Sequence, residues 1–106
     1  MTTRTSGRPA LSAKQFDLIA KALADPRRMA LLEVIGSKAE SCPCHVLREQ
    51  FPVSKATISH HIKELARAGL VEPHREGQFL NCELRREVLE AYTAELLRRA
   101  GGKSVI

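Results

Sequence analysis

A mainly α-helical domain of five helices, with a small two-stranded β-hairpin before the last, is predicted from three features of the chain. Apolar residues recur at helical spacing as far as Gly69. The period changes to two between Leu70 and Leu84. Helical spacing returns from Glu87 to Arg99. With 106 residues, a net charge of +5 and a pI near 9.5, the chain suits one compact unit that attracts a polyanion.

Each element has its own signal. Residues 1–10 are polar, carry Arg4 and Arg8, and are expected to form a loose arm ahead of a domain over 11–100. Ser12 can cap a helix over Ala13 to Ala24, with Phe16, Ile19, Ala20 and Leu23 as its stripe. Asp25-Pro26 restarts the chain as N-cap and first helical residue, and this second helix stops at Gly36. A third helix is expected from Ser41-Cys42-Pro43 to Gln50, with Cys42 at the cap and Pro43 at the first helical position. The short turn Phe51-Pro52-Val53 leads to a fourth helix between Ser54 and Gly69, a connection that fits a helix-turn-helix.

Leu70 to His74 and Phe79 to Leu84 read as strands joined by Arg75-Glu76-Gly77-Gln78, with Leu80, Cys82 and Leu84 on the core face. The last helix carries a broad apolar face of Val88, Leu89, Tyr92, Leu96 and Leu97, and residues 101–106 should fray. The set is a winged helix-turn-helix, the hairpin being the wing.

The fourth helix carries the chemistry. Ile58, Ile62, Leu65 and Gly69 share one side, while Ala56, His60, Lys63 and Arg67 lie opposite, flanked by Lys55, Thr57 and Ser59. An ordinary amphipathic surface helix has the same pattern. Hydroxyls and imidazole for base edges beside cations for phosphates nevertheless suit a helix laid in the major groove of duplex DNA. Ser54, Lys55, Thr57, Ser59, His60 and Lys63 are the candidate DNA-facing residues. Arg75 and Gln78 at the hairpin tip are placed to assist, although a solvated turn explains them also.

Several classes are disfavoured. Phe16, Phe51, Phe79 and Tyr92 are too few aromatics for a stacking single-strand binder. No apolar run approaches the roughly 18 residues of a membrane span, and Met1 to Pro9 lacks a signal-peptide core, so a cytoplasmic protein is expected. Adjacent His60 and His61 point about 100° apart on a helix and lie in no nucleophile or acid motif, so no enzyme is expected. Three cysteines do not make a disulfide framework. A thiol-disulfide enzyme using Cys42-Pro43-Cys44 would need a βαβ context that is missing. The first and last helices both carry apolar stripes, which either complete the monomer core or meet in a twofold dimer.

The element order, with Leu23-Ala24-Asp25-Pro26-Arg27-Arg28 early and Ser59-His60-His61-Ile62-Lys63-Glu64-Leu65-Ala66-Arg67-Ala68-Gly69-Leu70-Val71 later, resembles the ArsR/SmtB family of bacterial winged-helix regulators. The likeness runs from Gln15 to Arg99. It implies a homodimer joined through the first and last helices, bound to an imperfect inverted repeat of operator DNA and released by an inducer, often a metal or metalloid ion. Cys42 and Cys44 match the first two of three thiols in the family's arsenic-sensing members, but Leu47 stands where the third would be. The last helix has no His and no Asp for the family's zinc and nickel type of site, and the arm has no cysteine to lend.

Pro43 shapes the remaining thiol chemistry. With Cys42 at the cap and Cys44 in the first turn, the two side chains are expected to converge as a soft dithiolate for trivalent arsenic or antimony. A third ligand would be Cys82, His45 or a small external thiol, and imidazole suits zinc better than arsenic. Cys82 alternates with Leu80 and Leu84, however, and reads first as a small core residue. No obligatory cofactor is expected. The alternatives are an oxidation-responsive regulator, or a constitutive one whose Cys42 and Cys44 are structural.

Overall fold

The computed structural model describes residues 10–38 and 41–101; the expected N-terminal arm and frayed tail lie outside them, apart from Ala10 and Gly101. The chain order is α1 (Ala13–Leu23), α2 (Pro26–Gly36), β1 (Cys42–Pro43), α3 (Cys44–Gln50), α4 (Lys55–Arg67), β2 (Val71–Glu76), β3 (Phe79–Leu84) and α5 (Arg86–Gly101). Five helices and a wing are present as the periodicity predicts.

Three helix starts follow capping chemistry. Ser12 Oγ accepts from the Gln15 amide at 3.0 Å, Asp25 Oδ1 from the Arg27 amide at 2.9 Å, and Ser54 Oγ from the Thr57 amide at 3.1 Å. At α3 the start is one residue later than expected: Pro43 is the N-cap, and Cys44 is the first helical residue. The ring holds Pro43 extended at φ −64° and ψ 139°, and the residue before a proline is steered to the same region.

That extended pair changes the sheet. The expected two-stranded wing is a three-stranded antiparallel sheet in the order β1-β3-β2. Cys42 pairs with Cys82 and Pro43 with Asn81, so the start of α3 is tied to the wing. A two-residue strand has no readable alternation, which is why the sequence pattern did not reveal it. The wing turn is also tighter than expected. Glu76 pairs with Phe79, leaving Gly77-Gln78 as the loop, with Gly77 at φ 64°, and Arg75 lies within β2.

Ile19, Leu31, Ile35, Leu47, Ile58, Leu65, Leu70, Cys42 and Cys82 are fully buried and draw together α1 to α4 and the sheet. In α1 the buried face is Phe16, Ile19 and Ala22, rotated from the expected stripe because Ala20 is exposed. Phe16 packs on Tyr92 of α5 at 4.9 Å between ring centroids, and Arg99 lies 3.9 Å over its ring. The first and last helices thus meet within one chain, while Leu96 and Leu97 of α5 stay 43% and 60% exposed.

The end of α4 is held from two sides. The Leu70 amide donates to the Leu65 carbonyl at 3.0 Å and the Gly69 amide to that of Ala66 at 2.9 Å, closing a Schellman turn around Gly69 at φ 83°. Gln15 Nε2 donates to the Ala68 carbonyl at 3.2 Å, which ties α1 to the same turn. A Cβ on Gly69 would stand 2.6 Å from that Gln15 nitrogen. Gly69→Ala therefore combines a left-handed backbone penalty with loss of the anchor, a cost of about 1–2 kcal/mol. Thermal melts should show a midpoint about 4–8 °C lower per kcal/mol, and an unchanged midpoint would refute this account of the turn.

Candidate nucleic-acid interface and adjoining thiol cleft

The candidate interface is built by burial of one face of α4. Ile58, Ile62 and Leu65 are 2%, 6% and 0% exposed, and each such side chain contributes about 1.5–3 kcal/mol when fully buried. Lys55, Ser59, His60 and Lys63 are consequently left exposed on the other face. Thr57 is half-buried, and its hydroxyl lies 2.9 Å from Ser54 Oγ. Those two residues are therefore engaged in starting the helix.

The Asp25-Pro26-Arg27-Arg28 segment fixes the orientation of α4. Arg27 folds back on Asp25, with Nη2 3.2 Å from Oδ2, and these hydrogen bonds hold the Asp25 carboxyl down to about 2. Arg28 donates through Nε to the Ala22 carbonyl at 2.8 Å, and its Nη1 lies 3.5 Å from His61 Nδ1. One guanidinium thus spans the end of α1 and the inner side of α4.

His61 is only 4% exposed, and its Nε2 has no hydrogen-bond partner among the described residues. Burial pushes its pKa below the ordinary 6.5, opposed by Asp25 and reinforced by Arg27, Arg28 and His60. Unfolding therefore takes up a proton below pH 6.5, so the stability held by neutral His61 is complete above that pH and lost as pH falls. His61→Gln should flatten the fall of thermal stability between about pH 7.5 and about pH 5.5. An identical pH slope in the variant would assign the effect to other groups.

Between α3, α4 and the wing lies an open cleft of about 590 Å³, lined by Cys44, His45, Arg48, Lys55, Ser59, Arg75, Gln78, Phe79 and Leu80. It joins the two ends of the expected DNA-facing set, since Lys55 and Ser59 come from α4 while Arg75 and Gln78 come from the wing. An adjoining, more apolar hollow of about 210 Å³ shares Cys44, Arg48, Ser59 and Leu80 and is closed by Ile58, Ile62, Ala66 and Pro73. Sequence reading missed Arg48. The available signal is its spacing of four from Cys44, which puts both on one side of α3.

The thiols are arranged differently from the expected Cys42–Cys44 convergence. Cys44 Sγ and Cys82 Sγ are 3.4 Å apart, whereas the Cys42 thiol turns to the Pro43 carbonyl at 3.7 Å. Burial raises the Cys42 pKa. The hydrogen bond between the two thiols and the charge of Arg48 bring Cys44 down to about 7 against its burial, while the same hydrogen bond and burial raise Cys82. His45 is exposed beside Phe79, with ring centroids 6.0 Å apart. Leu47, at the position of the missing third thiol, is fully buried in the core. Among the described residues no group of three or more His, Cys, Asp or Glu is placed to hold a metal ion. No described helix is long and apolar enough to cross a membrane.

A three-helix core whose fourth helix presents a hydroxyl-rich cationic face beside a β-hairpin defines a winged helix-turn-helix. A family described as a helix-turn-helix domain matches residues 23–74. The arsenical resistance operon repressor of Staphylococcus xylosus is 36% identical over 80 residues, 76% of this chain and 75% of that protein. An ArsR-like transcriptional regulator from Rhodococcus sp. RHA1 superposes with a TM-score of 0.73 at 26% identity, covering 84% of this chain and 81% of that one. A homodimeric winged helix-turn-helix DNA-binding domain from Mycobacterium bovis shares the fold with a TM-score of 0.64 at 21% identity, over 84% and 79% of the two chains. The chain belongs to the ArsR family of winged helix-turn-helix regulators, which are DNA-binding transcriptional regulators and not enzymes.

Proposed function

We propose that this chain is a cytoplasmic, homodimeric repressor that binds an inverted repeat of duplex operator DNA and is released when arsenite or antimonite engages its thiols. The observation that carries the reading is the single cleft in which Lys55 and Ser59 of α4 meet Arg75 and Gln78 of the wing. One docking event then lets α4 read base edges in the major groove while the wing holds the backbone or minor groove. His60 and Lys63 extend the same exposed face, and Ser54 and Thr57 set the start of the helix against it.

Two observations support the dimer. Leu96 and Leu97 remain exposed on α5 beside the Phe16–Tyr92 contact with α1, and the Mycobacterium bovis domain of the same fold is homodimeric. A twofold pair would present its recognition helices to half-sites about 34–36 Å apart or a multiple of that.

The arsenical resistance repressors among the relatives support a soft metalloid as inducer. Cys44 lines the cleft and has Cys82 beside it, a two-thiol donor set that fits a soft trivalent ion. Cys42, the cross-strand neighbour of Cys82, or an external thiol would complete three-coordination, with His45 a poorer donor. Release then needs only that the ion favour a position of α3 in which α4 and the wing are wrongly spaced, a coupling of about 1–3 kcal/mol.

Fluorescence anisotropy on promoter DNA under reducing conditions tests both levels. Arsenite should weaken wild-type binding about 5- to 150-fold and leave Cys44→Ser unaffected. Tight binding indifferent to arsenite would discard the metalloid while keeping the repressor, and absence of specific binding would discard both. Lys63→Ala should weaken binding almost equally on operator and unrelated DNA and lower the salt slope by about one.

A further inference from the structure

We propose that Cys44 and Cys82 form an oxidation site for peroxides, entered through the cleft beneath the DNA-facing residues, so that bound operator shields it. The three thiols are not equivalent. Cys42 and Cys82 are completely buried, whereas Cys44, itself buried at 4% exposure, forms part of the wall of both the open cleft and the apolar hollow beside it. A small oxidant therefore meets Cys44 first. Cys82 is the thiol already in contact with it at 3.4 Å, and a modest closure reaches the disulfide bond length of about 2.05 Å. Cys42 is the cross-strand neighbour of Cys82, but its thiol is turned to the Pro43 carbonyl at 3.7 Å.

The chemistry closes with one equivalent of hydrogen peroxide or an organic hydroperoxide. The Cys44 sulfur attacks the peroxide, an S–O bond forms as the O–O bond breaks, and water or an alcohol leaves, giving a sulfenic acid. The Cys82 sulfur then attacks the Cys44 sulfur, the S–S bond forms as the S–O bond breaks, and the departing hydroxide takes the Cys82 proton as water. The two thiols lose two electrons and the peroxide gains them.

The entrance gives the site its second property. Lys55, Ser59, Arg75 and Gln78 form its wall together with Cys44, so DNA lying on those four residues closes the way in. This shielding rests on the DNA-binding reading above, whereas the Cys44–Cys82 linkage does not.

Full-length reduced protein treated with hydrogen peroxide, alkylated and peptide-mapped should contain an intramolecular Cys44–Cys82 disulfide with Cys42 still free. In Cys82→Ala a cyclic 1,3-diketone should trap the sulfenic acid on Cys44; if that variant folds poorly, the wild-type time course is read alone. A disulfide containing Cys42, or loss of none of the thiols, overturns the site. Promoter DNA at ten times its dissociation constant, with anisotropy confirming occupancy, should slow Cys44 oxidation about tenfold, as the free fraction falls in proportion. Equal rates with DNA bound overturn the shielding. Absence of DNA binding would show in anisotropy and overturn the shielding together with the functional reading, while the peptide map still tests the thiol pair independently.

Discussion

The pairing of Cys42-Pro43 with Cys82 and Asn81 of β3 couples the helix before the recognition helix to the wing, and the cleft depends on that coupling. Proline supplies the constraint. It fixes its own backbone in an extended form, steers Cys42 likewise, and delays α3 until Cys44. The short strand then covers one edge of β3 while β2 covers the other, so the wing is a central strand flanked on both sides. Because α3 starts directly from this ladder, its first residue faces the sheet, and Cys44 reaches Cys82 across 38 residues of chain.

Around that junction the protein separates two kinds of polar chemistry. The outer face of α4 and the wing carries the exposed cations Lys55, Lys63 and Arg75. The inner side is anchored by groups that are satisfied internally. Asp25 caps α2 and holds Arg27, Arg28 bonds the end of α1, and Gln15 bonds the end of α4. The Ala-Asp-Pro-Arg-Arg segment is thus a fastening between helices. His61 sits at the boundary, buried next to Arg28 and one residue from exposed His60, so neighbouring imidazoles serve the core and the surface respectively.

The thiols belong to this inner side, yet Cys44 is also part of the cleft wall. That wall lies on the seam between α3 and β3 and also includes Lys55, Ser59, Arg75 and Gln78. Coupling between the two sites requires no long pathway: one helix and one strand shared by both are sufficient.

Local and periodic signals were enough to read most of the fold. Caps at Ser12, Asp25 and Ser54, the stop at Gly69, the stripe of Ile58, Ile62 and Leu65, and the change to period two are properties of neighbouring residues, and the helices and wing follow from them. The exposed set on α4 was legible for the same reason, since a helix with one buried face must present the other. Tertiary structure alone decided what distant residues do together. Strand β1 has no pattern of its own and exists only because β3 offers an edge. Cys82 could be read as core from its alternation with Leu80 and Leu84, but its contact with Cys44 depends on how α3 meets the sheet. Arg48 and Arg75 enter the cleft through the packing of α3 and the true length of β2. Sequence determined each element and the face it buries, because those depend on local geometry and burial; the folded chain determined which thiols and cations became neighbours, because that depends on long-range pairing.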